Sequence, residues 1–225
     1  MFIRIILLIF LFVNHAYADK NKLTASIEVD SDHNSKKNEY LLKFKQKDDK
    51  KKYSQEIELN IDRNYSLIEQ KFEKTKDLID YEHELKYFNQ NDLFATAFYR
   101  HKYDEFATSV EQNFKLITMG AGINKDYAKR EFSAQLSVGQ RRSSDLHYIY
   151  MPKISYTEKL AKLELHTSHS IIKDHESEII KSKFSLEYPI NKMINIEYIF
   201  KYERSKDNLT TEISRNNKIA LALKF

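Results

Sequence analysis

Apolar and polar side chains exchange places at every second residue over most of this chain. In the last run, 217–225, Ile219, Leu221, Leu223 and Phe225 share one face, and Lys218, Ala220, Ala222 and Lys224 share the other. A period of two belongs to a β-strand with one greasy and one polar side. A strand of this kind that stops on an aromatic residue reads as the membrane-assembly signal of an outer-membrane barrel.

The same alternation fills the preceding runs. Residues 147–156 place Tyr148, Tyr150, Pro152, Ile154 and Tyr156 on one face, with the outer tyrosines spaced to reach both lipid surfaces of a tilted strand. Residues 159–172 set Ala161, Leu163, Leu165, Thr167 and Ile171 against Lys162, Glu164, His166, Ser168 and Ser170. Residues 176–188 oppose Ile180, Phe184, Leu186 and Tyr188 to Lys181, Lys183, Ser185 and Glu187. Residues 192–204 oppose Ile194, Ile196, Tyr198, Phe200 and Tyr202 to Asn195, Glu197, Lys201 and Glu203. Upstream, Phe132, Ala134, Leu136 and Val138 form a further apolar face. So do Tyr81, His83, Leu85 and Tyr87 opposite Glu82, Glu84 and Lys86, and Tyr53, Ile57, Leu59 and Ile61. Two stretches do not separate cleanly. Leu93 to Tyr103 is apolar on both faces, and Leu116 to Ile123 is nearly continuous, with Gly120 and Gly122 marking a bend or a close backbone approach.

Turns read near 31–38, 48–51, 62–65, 89–91, 104–108, 124–126, 143–146, 157–158, 173–175, 189–191 and 206–209. They divide residues 19–225 into about twelve strands, within a range of ten to fourteen, and residues 62–80 become one long loop or ragged strand extension. An even count keeps both ends of the chain on one side. The predicted fold is an all-β, transmembrane, antiparallel up-and-down barrel in a single domain.

Composition supports a barrel more than a helical membrane protein. Beyond residue 18 no apolar stretch reaches the roughly 20 residues that a spanning helix needs. Membrane insertion then requires a closed barrel, in which every backbone N–H and C=O is paired. Charged residues make up 31% of the chain and mean hydropathy is −0.64, values that a barrel reaches because alternate positions are polar. Fifteen tyrosines and fourteen phenylalanines suit the aromatic girdles of such barrels. Residues 1–18 read as a cleaved signal peptide: Arg4 begins it, Ile3–Val13 is the apolar stretch, and Ala16-Tyr17-Ala18 is the cleavage site, leaving Asp19 first. The expected address is the outer membrane of a Gram-negative bacterium. With no cysteine, a lipid-anchored amino-terminus, disulfides and thiolate metal sites are excluded. A net charge of +4, from 37 basic and 33 acidic residues, is too even for nucleic acid.

Between residues 81 and 141 an order of features stands out: Tyr87-Phe88 closing a strand, the turn Tyr103-Asp104-Glu105-Phe106, the Gly120-Ala121-Gly122 run, and Gly139 before Arg141. With Phe225, this resembles the salt-induced outer-membrane protein family, a Gram-negative group whose domain has no assigned biochemical function. The resemblance implies an outer-membrane barrel, a link to envelope or salt stress, and no catalytic residues to carry over.

Chemistry beyond the barrel is sparse. His166 and His169, three apart on a strand, point to opposite faces and cannot share a metal. His33, His147 and His175 lie at loop edges, where stray metal can bind, with no supporting acidic or cysteine cluster. Rim groups for a surface enzyme would be Ser143, Ser144, Asp145, His147, Asp174, His175 and Glu176, but no nucleophile motif frames the serines. No catalytic, cofactor-binding or metal-binding residue is therefore expected. The polar faces carry the stronger signal: Glu82, Glu84, Lys86, Lys162, Glu164, Lys181, Lys183, Glu197, Lys201 and Glu203 form a lumen charge ladder whose signs alternate, so that they can pair across neighbouring strands. The expected function is a non-enzymatic barrel, structural or a narrow channel. The expected partners are outer-membrane lipids and, through the last strand, the barrel-assembly machinery. Two alternatives remain: a barrel enzyme acting on lipid or peptide at the cell surface, and a soluble periplasmic barrel carrying an apolar ligand.

Overall fold

The computed structural model describes residues 20–31, 35–47, 52–68, 71–89, 92–106, 113–206 and 211–224. The signal-peptide reading and Phe225 lie outside them. Twelve strands form one sheet: β1 (Lys20–Ser31), β2 (Ser35–Lys47), β3 (Tyr53–Ile68), β4 (Lys71–Phe88), β5 (Leu93–Asp104), β6 (Phe114–Tyr127), β7 (Arg130–Arg142), β8 (Leu146–Leu160), β9 (Leu163–Lys173), β10 (Glu178–Pro189), β11 (Ile194–Lys206) and β12 (Thr211–Lys224). Each pairs antiparallel with its sequence neighbour, and β1 pairs with β12 through Leu23↔Leu223 and Ala25↔Leu221 to close the barrel. Closure removes the two open edges that a flat sheet of this size would leave. The start of β1 and the end of β12 lie at the proximal rim; the β5–β6, β7–β8 and β9–β10 connections lie at the distal rim.

The number of strands is as expected, but three turns sit elsewhere. β3 and β4 stay paired as far as Ile68↔Lys71, past a bulge at Asn64/Tyr65, where a turn at 62–65 was expected. β4 has β5 beside it only from Leu78 onward, whereas β3 keeps β2 beside it as far as Ser35↔Ser66, so the start of β4 rises past β5 as the free side of a tall β3–β4 hairpin. Charges obscured the alternation because they pair within that hairpin. Arg63 Nε lies 3.0 Å from Asp77, Lys74 Nζ 2.8 Å from Asp77, and Lys76 Nζ 2.8 Å from Asp62. The turn expected at 124–126 falls at Ala128–Lys129, because the ladder continues to Tyr127↔Arg130. The turn expected at 157–158 falls at Ala161–Lys162, because Lys159↔Glu164 and Leu160↔Leu163 are still paired and Ala161 takes the left-handed conformation (φ 54°) that tightens the hairpin.

From β4 round to β12 the outward face is apolar. Met119 is 70% exposed, Tyr148 75% and Ile219 74%. Among the described residues, exposed large apolar side chains outnumber buried hydrophobic ones more than two to one, the inverse of a water-soluble domain. Polar residues on this face find partners: His169 Nδ1 and Ser182 Oγ, opposite each other in register, hydrogen bond at 2.9 Å. Charged pairs edge the apolar band at the proximal rim, with Lys125 Nζ 2.9 Å from Asp92 and Arg130 Nε 2.9 Å from Glu158.

The two stretches apolar on both faces resolve as β5 and β6. Their second apolar face points inward, where Phe98, Phe114 and Leu116 pack with Ile149, Met151, Ile172 and Ile179 beneath the distal rim. A smaller inward cluster joins Leu41, Ile199 and Ala220. The glycines lie where backbones approach most closely. A Cβ on Gly139 would overlap the Ile117 carbonyl and come within 2.7 Å of Thr118 Cα, and one on Gly120 would come within 2.6 Å of Ser137 Cα. Side-chain-free positions let β6 and β7 coil tightly at this corner.

Candidate functional site

The inward face of the other strands is polar, with Ser133, Gln135 and Ser137 on β7 and charged residues on most of the rest, and register dictates how the charge must be neutralised. Glu56 lies opposite Glu84 and Glu58 opposite Glu82 between β3 and β4. Lys183 lies opposite Lys201 between β10 and β11, where Glu187 also lies opposite Glu197. Like charges directly opposed destabilise a sheet, so these groups need counter-charges from elsewhere. Pairing between neighbouring strands occurs, as between the opposed Lys181 and Glu203 at 3.8 Å and between Lys43 and Glu56 at 2.7 Å, but the register also segregates charge into an acidic wall on β3–β4 and a lysine cluster of Lys181, Lys183 and Lys201 on β10–β11.

The two walls meet across the lumen. Lys183 Nζ lies 2.8 Å from Glu58 Oε2, and Lys201 bonds the other oxygen of the same carboxylate. Lys181 is paired with Glu82. From β8, Lys153 Nζ reaches Glu84 at 2.7 Å, which also accepts a hydrogen bond from Gln135 at 3.1 Å. Nearer the proximal rim, Lys22 bridges the opposed Glu187 and Glu197, lying 3.0 Å from the latter. Lys218 on β12 pairs with the buried Glu39 on β2 and donates to Asn60 at 2.9 Å.

At the hub sits Arg100 of β5, only 1% exposed. Its Nε and Nη2 donate to the two Asp80 oxygens at 2.9 and 2.7 Å, a fork-to-fork pair. Nη2 also reaches Glu203 on the far side at 3.0 Å, and Nε lies 3.1 Å from Glu82. The guanidinium stacks 5.2 Å from the Phe114 ring, tying the ionic network to the apolar cluster. Between the walls remains a cavity of about 210 Å³.

Of the ladder residues read from sequence, Glu82, Glu84, Lys181, Lys183, Glu197, Lys201 and Glu203 enter this network. Lys86 points inward over the Phe94 ring at 4.8 Å and lies 3.9 Å from Glu84. Glu164 is in register with the inward-facing Glu187 near the proximal rim. Lys162 is a correction: it is exposed in the β8–β9 turn, because β8 runs four residues further than the alternation was read to. Sequence reasoning missed Arg100, Asp80, Lys153, Glu56 and Glu58. Glu56 and Glu58 alternate with Ile57, Leu59 and Ile61 and were legible, whereas Arg100 follows Phe94 and Phe98 on a face that looked apolar. Ile219, Leu221 and Leu223 all point outward and exposed on β12.

At the distal rim the loop side chains are organised by hydrogen bonds. Asp174 accepts from the backbone N–H groups of Glu176 and Ser177 at 2.8 and 2.6 Å and from Ser177 Oγ at 2.7 Å. Ser144 Oγ donates to Asp145 at 3.2 Å. These contacts shape loops and do not align a serine with a base.

No family model matches the sequence, and no curated protein matches it by sequence. Solved barrels resemble it in shape. The KdgM porin has a TM-score of 0.48 at 7% identity, over 92% of this chain and 98% of that one. The translocator domain of the autotransporter NalP from Neisseria meningitidis has 0.46 at 8%, over 92% and 86%. An outer membrane channel from Pseudomonas putida F1 has 0.44 at 11%, over 91% and 92%. Likeness at this level is one of shape, and the barrel stands on its own strand order and registers.

Proposed function

We propose that this chain is an outer-membrane β-barrel of non-enzymatic role, exported through a cleaved signal peptide, with a lumen held nearly shut by ion pairs that cross it. The observation that carries the reading is the pairing of an exposed apolar exterior with opposed acidic and basic walls inside. A soluble carrier of apolar ligands would line its cavity with its greasy face, and here that face points out. β12, with Ile219, Leu221 and Leu223, together with the Phe225 that follows it in sequence, is the segment offered to the barrel-assembly machinery, and the apolar band is offered to outer-membrane lipid.

The cross-lumen pairs also supply a physical route to a salt-stress role. The side chains of Glu58, Glu82, Glu84, Lys153, Lys181, Lys183 and Lys201 are 12–26% exposed, so water and ions reach them. The screening length shrinks from about 10 Å at 0.1 M salt to about 3 Å at 1 M, and although part-buried contacts are screened much less than exposed ones, the walls loosen partially as ionic strength rises. Planar-bilayer recording tests this. The expected result is rare, small openings at 0.1 M KCl and a conductance that rises more steeply than bulk conductivity toward 1 M. A large, steady conductance at every salt concentration overturns the nearly shut lumen, and silence at every concentration removes the channel role.

A further inference from the structure

At the distal rim, His147 at the start of β8 meets His175 and Glu176 from the β9–β10 loop. One ligand atom from each lies within 4.8 Å of the other two. The two imidazole rings are 5.5 Å apart between centroids, and His175 Nε2 lies 3.2 Å from Glu176 Oε1. His147 is 91% buried, and its Nδ1 is enclosed with no hydrogen-bond partner. A buried ring nitrogen left without a partner is destabilising, and its neighbours are the residue types that bind borderline divalent metals. The sequence offers these loop-edge histidines no supporting acidic or cysteine cluster, whereas the fold brings His147 to His175 and Glu176.

The geometry points to a zinc-class divalent-cation site made of His147, His175 and Glu176, open at a fourth position to water. Metal–ligand bonds of about 2.0–2.2 Å at tetrahedral angles put ligand atoms roughly 3.3–3.5 Å apart. The observed spread closes to that by side-chain rotation, for which the exposed His175 and Glu176 are free. Arg141, opposite His147 in register, is engaged by Asp174 at 3.5 Å and donates to Ser177 at 2.6 Å, so its charge is already countered. Binding would clasp the β7–β8 end to the β9–β10 loop, and it is independent of whether the lumen conducts.

The test is calorimetric titration of zinc sulfate into the refolded full-length barrel, repeated with cobalt(II), whose visible absorption reports tetrahedral coordination. One saturable equivalent is expected, unchanged in His169→Ala, an outward histidine far from the cluster. His175→Ala and Glu176→Gln, both exposed and safe for folding, should each weaken it by about tenfold or more, the scale at which metal-site contacts are lost. His147→Ala should abolish it. Absence of a saturable equivalent, or less than a tenfold change in His175→Ala, overturns the site.

Discussion

Replacing Arg100 with methionine removes one cation while keeping most of the side chain's length. In the intact protein Arg100, Lys102 and Lys181 balance Asp80, Glu82 and Glu203, so the group is neutral and the variant carries one uncompensated negative charge. The Arg100–Glu203 contact alone, at 3.0 Å, corresponds to about 5.5 kcal/mol of gross attraction at an effective dielectric of ~20. Desolvation offsets much of that for the pair, but stripping one partner from a buried pair leaves the other's penalty in place and costs about 3–5 kcal/mol. Urea unfolding in lipid vesicles, followed by the gel-mobility difference between folded and heated barrel, should show a loss of that size for Arg100→Met. Lys74→Met on the distal hairpin should leave the urea midpoint nearly unchanged, because exposed ion pairs contribute little. The variant should also conduct more often than the parent and favour cations. A loss below about 1 kcal/mol for Arg100→Met refutes the reasoning, because the hub would then bear no load.

Other perturbations probe separate parts of the account. The double variant Lys183→Gln, Lys201→Gln strips both counter-ions from Glu58, and reversal-potential measurements should find a more conductive, cation-selective lumen. Gly139→Ala should lower stability by about 1–3 kcal/mol by overpacking, read as a lower urea midpoint, since its Cβ would strike the backbone of Ile117 and Thr118. In the tall hairpin, hydrogen bonds from Lys74 and Arg63 hold the Asp77 carboxyl below its usual value of 3.8. A depressed folded value contributes stability above the ordinary carboxylate range and loses it as pH falls through the lowered value. The hairpin should therefore resist protease nicking at pH 5 and yield only in stronger acid, whereas Asp77→Asn should yield at pH 5 as well.

What could be read from the sequence follows from what a period of two encodes. Alternation names the face of each side chain, so Ile219 outward and Lys218 inward were legible, as were the strand count and the sidedness of Lys181, Glu197 and Glu203. It does not name the partner across a barrel. Signs that alternate along the chain suggest neighbour pairing, which register grants to Lys181 and Glu203, but register also sets Glu58 against Glu82 and Lys183 against Lys201, and closure of the sheet brings the opposite walls together. Alternation also fails where both faces are greasy. Phe98 and Leu116 fill the lumen while Ala97 and Ile117 point out, and Arg100 was hidden among them. Lys162 was misplaced because nothing in Thr157-Glu158 or Ala161-Lys162 marks a turn as glycine or proline would. His147 and Glu176 are far apart in sequence, and only the joining of β8 to β9 and β10 places them together.

The chain's lack of cysteine allows single cysteines to be introduced along β12 and spin-labelled in lipid vesicles, with accessibility to oxygen and to a water-soluble nickel complex measured at each. Labels at 219, 221 and 223 should be reached by oxygen and shielded from nickel, and labels at 218, 220 and 222 should show low accessibility to both, alternating residue by residue. Equal nickel accessibility at the two sets would contradict a membrane barrel with a greasy exterior and an ionically closed interior.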